Sequence, residues 1–153
     1  MRAGRRGYFV WLWLPVAVWV AVIFWASGQQ SLPSVPSATI DMLIKKTGHV
    51  LEYALLGLLA LRAGHGTMEL ASNKKPGSAH KMGMPDNPGW LKPSVLTVVF
   101  GCLYAVSDEV HQLFVPTRNG QVRDVILDTS AVTLAVILAW LWRQGQRRLH
   151  PLD

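Results

Sequence analysis

Hydrophobic and polar positions fall along this chain in long blocks, not in the short periods of a soluble fold. The run YFVWLWLPVAVWVAVIFWAS (8–27) contains no charged residue. It has the length of about 20 residues that a helix needs to cross a bilayer core of about 30 Å. A second run, MLIKKTGHVLEYALLGLLALRA (42–63), is as long but carries Lys46, His49 and Glu52 in its first half. A third, SVLTVVFGCLYAVSDEVHQLFV (94–115), stays free of charge until Asp108, and Pro116 then supplies a stop. The fourth, VILDTSAVTLAVILAWLW (125–142), holds Asp128 near its start. All four read as helices, because a strand with open edges cannot satisfy its backbone in lipid. The pattern predicts an all-α membrane protein, a four-transmembrane-helix bundle over residues 8–142.

Two other assignments compete with this one. A soluble four-helix bundle would need a polar stripe on each helix, and the first run is apolar all round. A cleaved signal peptide would fit the basic MRAGRRG leader, but the apolar part outruns the usual 7–15 residues and is crowded with Trp, which favours an uncleaved anchor. Between the second and third runs lies GHGTMELASNKKPGSAHKMGMPDNPGW (64–90), rich in Gly, Pro, Ser and Asn and without periodicity. Residues 64–93 read as a flexible loop, with His65 and His80 as solvated side chains.

Composition agrees. Of 153 residues, 50% are hydrophobic and only 16% charged, with seven Trp and one Cys. A single Cys, Cys102 in an apolar run, leaves neither a disulfide framework nor a Cys-based zinc site. The net charge of +6 does not signal nucleic acid, because the basic residues cluster at the ends of apolar runs and form no patch beside aromatic readers.

Lys and Arg are retained on the cytoplasmic side of a membrane, so their distribution orients the bundle. Arg2, Arg5, Arg6, Arg62, Lys74, Lys75, Lys81, Lys92, Arg143, Arg147 and Arg148 fall on one side, and Lys45, Lys46, Arg118 and Arg123 on the other. Both termini and the 64–93 loop are therefore expected in the cytoplasm, with Trp11, Trp13, Trp90, Trp140 and Trp142 near the inner interface and Trp25 near the outer. Every unusual polar residue then collects at the extracytoplasmic end. At about 100° per residue, Lys46, His49, Glu52 and Tyr53 share one face of the second span. Asp108, His111 and Gln112 share a face of the third, with Glu109 at its margin. Asp124 and Asp128 lie four apart on the fourth, with Ala131 and Ala135 continuing the stripe. Carboxylates facing lipid would cost several kcal/mol, so these faces are expected to converge inside the bundle.

The blocks KTGHVLEYALLGLL and YAVSDEVHQLFVPTRNGQVRDVILDTSA resemble the VanZ-like family of small multipass bacterial membrane proteins, and WASGQQSLPS looks like that family's Ser-rich turn. The resemblance covers most of residues 20–135 outside the loop. It carries over Lys46, His49, Glu52, Tyr53, Asp108, Glu109, His111, Gln112, Arg118, Asp124 and Asp128 as motif positions. Where the family usually has Asn and then Gly early in its last helix, this chain has Asp128 and Ala131, which adds a charge at the first. The resemblance implies a bacterial cytoplasmic (inner) membrane location and an association with resistance to glycopeptide antibiotics of the teicoplanin type. It implies no settled biochemical activity.

Other motifs fall away. DEVH (108–111) spells a helicase pattern, but no G-x-x-x-x-G-K-[ST] loop is present to cradle phosphates, and HVLE (49–52) is not H-E-x-x-H. Three roles fit the outer cluster. The first is a cavity that binds a cell-envelope ligand or partner through Lys46, Gln112, Arg118, Asp124 and Asp128. The second is an enzyme acting on a lipid-linked envelope substrate. There His49 or His111 acts as base, Asp108 or Glu109 orients the imidazole, Glu52 adds a further carboxylate, and Arg118 takes an anionic group. No activated Ser or Cys accompanies it, and its Asp, Glu and His spacing is not diagnostic of a metal. The third is a buried ion network, Lys46 or Arg118 against Asp108 and Asp124, that fixes helix register. The sequence leaves open whether the protein is an enzyme, and names neither cofactor nor metal.

Overall fold

The computed structural model describes residues 2–29, 37–72, 88–116, 118 and 120–149. They form four helices: α1 (Arg2–Ser27), α2 (Ala38–Ala71), α3 (Pro88–Gln112) and α4 (Val122–Leu149). There is no strand among the described residues. Three segments are long and apolar enough to cross a membrane: Gly4–Ser27, Gly89–Gln112 and Val122–Gln146. The second run does not meet that measure, because Lys45, Lys46, Glu52, Arg62 and Glu69 interrupt α2.

α2 is nonetheless the central element. It packs against α1, α3 and α4, while α1 touches α3 only slightly. The core joins Leu12, Val16 and Ile23 of α1, Tyr53, Leu56 and Ala63 of α2, Ala105 of α3, and Ala131 and Val132 of α4. Large apolar side chains on the outward faces, such as Trp25, Leu103, Leu113, Ile126 and Leu138, stay exposed. A water-soluble monomer rarely presents so much contiguous apolar surface; lipid covers it here.

Two glycines set how close the helices come. A Cβ on Gly101 of α3 would sit 2.8 Å from Val132 Cγ2, and one on Gly57 of α2 3.2 Å from Val132 Cγ1. Val132 of α4 is thus a knob lodged between two side-chain-free patches, the small-residue packing that substitutes for a hydrophobic drive inside lipid. The contact fixes the axial register of α4 against α2 and α3.

The helices alternate in direction. At one end the Arg5 guanidinium donates to the carbonyl of Leu70, and Trp13 Nε1 donates to Thr67 Oγ1 at 2.9 Å. The Arg62 guanidinium lies 3.8 Å from the Trp11 ring centroid, and that of Arg143 lies 4.7 Å from the Trp90 ring. The start of α1 and the end of α4 therefore share one end of the bundle.

Two boundaries differ from the sequence expectation. α2 continues to Ala71 and α3 starts at Pro88, so residues 64–71 and 88–93, read as loop, are helical. Lys74, Lys75, His80 and Lys81 lie outside the described residues. Gly64 and Gly66 look like breakers, but a Cβ on Gly66 would meet Leu12 Cδ1 at 2.6 Å. That glycine admits α1 to the helix and does not end it. His65, expected in solvent, is 6% exposed, with its ring 4.3 Å from that of Trp90. α3 ends at Gln112, ahead of Pro116.

Candidate functional site

The polar residues read from the sequence meet at the opposite end, where α1 and α3 stop and α2 and α4 begin. α2 and α4 run in the same direction, so the i, i+3 step from Lys46 to His49 matches the i, i+4 step from Asp124 to Asp128. Two rungs result. Lys46 Nζ donates to Asp124 Oδ1 at 2.9 Å, while His49 Nδ1 lies 3.7 Å from Asp128 Oδ2. The first is a hydrogen-bonded ion pair whose side chains are 34% and 25% exposed, so it is worth about 0–1 kcal/mol. The second is too long for a hydrogen bond, and Asp128 is fully buried.

Asp108, on the inner face of α3, is 2% exposed. Its Oδ2 accepts from Ser27 Oγ at 2.9 Å and from Gln112 Nε2 at 3.2 Å, and neither donor is charged. Glu109 Oε2 accepts the backbone N–H of Gln121 at 2.6 Å, which ties the start of α4 to the end of α3. His111 stacks on Phe24 with ring centroids 4.0 Å apart. Arg118 Nε donates to the carbonyl of Gln29 at 3.3 Å. Glu52, one turn beyond His49 on α2, is partly buried, and its carbonyl accepts from Trp19 Nε1 at 2.9 Å. Tyr53, beneath these groups, is fully buried.

All ten candidate residues therefore lie at one end, but their pairing differs from the expected one. Neither Asp108 nor Glu109 holds a histidine; Asp108 is engaged by Ser27 and Gln112, and Glu109 by the turn. The carboxylate nearest His49 is Asp128. Arg118 pairs with a backbone carbonyl and not with Asp108 or Asp124. Sequence reasoning passed over Ser27 and Phe24, both at the end of an apolar run. A hydroxyl in the last turn of a span is a usable signal that a buried acceptor lies nearby.

Several buried polar atoms of the cluster have no hydrogen-bond partner: Asp108 Oδ1, both carboxylate oxygens of Asp128, Tyr53 Oη, and Nδ1 of His49 and His111. Such atoms cost about 1–3 kcal/mol each when left unsatisfied; three of the six are carboxylate oxygens, and the Tyr53 hydroxyl and the two imidazole nitrogens can donate or accept. Asp108 and Asp128 together hold three buried carboxylate oxygens that no donor among the described residues reaches. Among the described residues no three His, Cys, Asp or Glu side chains stand where they could share a metal ion.

An all-helical chain with three long apolar helices and a buried acid-rich cluster at one end is a membrane protein. It matches the VanZ/LLP1 family model over residues 11–143, nearly its whole length, and belongs to that family. Comparison with curated proteins and with solved structures gave no match.

Proposed function

We propose that the protein is a four-span protein of the bacterial cytoplasmic membrane whose outer polar cluster binds a cell-envelope ligand or partner through that ligand's hydrogen-bond donors. α2 is the fourth span in this reading. Its charges are tolerated because it is packed against the other three helices, and intramembrane ionisable groups that face a bundle interior are functional by default. The excess of Lys and Arg toward the end that carries the termini supports a cytoplasmic location for that end. The cluster then faces the envelope.

The observation that carries the binding role is the set of unpartnered acceptors on Asp108 and Asp128. A network serving only to fix register would have its groups satisfied within the protein, as fully connected polar networks are. Hydroxyl or ammonium groups of a ligand complete this one. The enzymatic reading draws less support: His49 and Asp128 are adjacent, but neither touches a nucleophilic Ser or Cys.

We infer a link to teicoplanin-type glycopeptide resistance from family membership. Expression of the chain in a susceptible bacterium should raise the teicoplanin concentration that stops growth. His49→Gln should abolish the increase at unchanged membrane abundance. No increase with the native chain would refute the resistance link, and an undiminished increase with His49→Gln would remove the cluster as its site.

A further inference from the structure

α4 faces two environments. Asp124, Asp128 and Val132 point into the bundle, whereas the opposite side forms a groove with α3, about 440 Å³ in volume. Cys102 of α3 and the face of α4 from Val125 to Ile137 line it. Those twelve steps along α4 span about 18 Å, slightly more than one leaflet of a hydrocarbon core about 30 Å thick. The groove follows from the tight α3–α4 contact at Gly101 and Val132. Cys102, Ser130 and Thr133 around that contact are too small to fill the valley beside it.

The lining is apolar despite its hydroxyls. Ser130 Oγ donates to the carbonyl of Ile126 at 2.7 Å, and Thr133 Oγ1 to that of Thr129 at 2.8 Å. These two hydroxyls are spent on their own helix, and the third of the lining, Thr129 Oγ1, is buried without a hydrogen-bond partner. At its polar end stands Arg123. It lies three residues before Ile126 and seven before Ser130, so helical spacing puts it on the groove's own stripe. Its side chain is exposed and belongs to neither ion pair of the cluster.

We propose that this groove holds one acyl chain of an anionic phospholipid, whose phosphate is met by Arg123. An acyl chain reaches from headgroup to bilayer midplane, which is the depth the groove covers, and a guanidinium is the side chain best suited to a phosphate. The assignment rests on the outward face of α4 and stands independently of the role given to the inner cluster.

The test is retention of lipid by the full chain, purified in mild detergent with equal amounts of phosphatidylglycerol and phosphatidylcholine and examined by native mass spectrometry. One phosphatidylglycerol should stay bound in preference to phosphatidylcholine. Filling the groove by Thr133→Phe or, more gently, Ser130→Leu should remove the bound lipid, and Leu103→Phe, on the exposed part of α3 outside the groove, should not. Arg123→Gln should abolish the headgroup preference while leaving acyl retention. Equal retention of the two lipids by the native chain, or loss that is the same for Thr133→Phe and Leu103→Phe, overturns the proposal. Efficient oxidative cross-linking of Cys102 between copies also overturns it, because a second copy then occupies the groove.

Discussion

Asp108→Asn separates a binding site from a scaffold more cleanly than any other change in the cluster. The carboxylate spends one oxygen on Ser27 and Gln112 and leaves the other buried and unpartnered. Asn keeps the volume, and its carbonyl oxygen can take both donors. The two bonds weaken from charge-assisted to neutral, a loss of about 1 kcal/mol each. Against this, the substitution removes a buried charge that no base hydrogen-bonds, which relieves a desolvation penalty of comparable size or larger. The net change in stability is expected within about 1 kcal/mol, or roughly 2–4 °C in melting temperature for a chain of this length. Binding should respond differently. The Asn amide places a donor where the ligand meets an acceptor, and two opposed donors cost about 1–3 kcal/mol, roughly 5- to 150-fold in affinity. Melting of detergent-purified protein, membrane abundance and teicoplanin susceptibility should be measured together. Near-native melting with loss of resistance is the expected result. A destabilisation of about 3–5 kcal/mol, the cost of breaking a buried charge pair, would show that Asp108 is a structural partner. Unchanged stability with unchanged resistance would show that its free oxygen meets no ligand.

Two further outcomes test the frame around the site. Gly101→Val should destabilise by about 1–3 kcal/mol through overpacking, because even its Cβ would lie 2.8 Å from Val132. Val132→Ala in the same chain should restore much of the melting temperature, and purely additive losses would refute the knob-and-patch contact. In a Cys102→Ala background, Phe114→Cys, at an exposed position between α3 and α4, should react with a membrane-impermeant thiol reagent on intact cells. Ser72→Cys, at the other end, should not, and the reverse pattern would refute the proposed orientation.

Much of this was legible in the sequence because lipid leaves a chain few options. Three of the helices are visible as long apolar runs, and the polar faces follow from spacing alone, as the convergence of His49, Asp108 and Asp128 shows. Pairing was not legible. Which carboxylate meets His49 depends on how far α4 slides along α2, and the Gly57–Val132–Gly101 contact sets that slide. A one-turn shift would bring Asp124 to His49 and leave Asp128 facing Glu52 or Tyr53. The end of α2 is not legible because Gly64 and Gly66 carry the same letters whether they break a helix or admit a neighbour. The burial of His65 escapes the sequence as well, since it depends on Trp90 of another helix.

The concentration of charge between apolar segments also follows from α2's place in the bundle. A helix bearing lysines, a histidine and a glutamate in its first half is costly in lipid, and its composition alone falls short of a membrane span. Surrounded by α1, α3 and α4, its polar face sees other protein groups. The three apolar helices thus do more than anchor the chain, because they supply the low-dielectric wall within which Asp108 and Asp128 keep unpartnered oxygens. Those oxygens would be hydrated, and nearly indifferent to a ligand, on an open surface. α4 carries this division within one sequence: its 124, 128, 132 stripe turns inward, and its 123, 126, 130, 133, 137 stripe turns to lipid. Substitutions on the first stripe should therefore disturb the register with α2 and the cluster together. Those on the second should alter only what the bilayer presents to the protein.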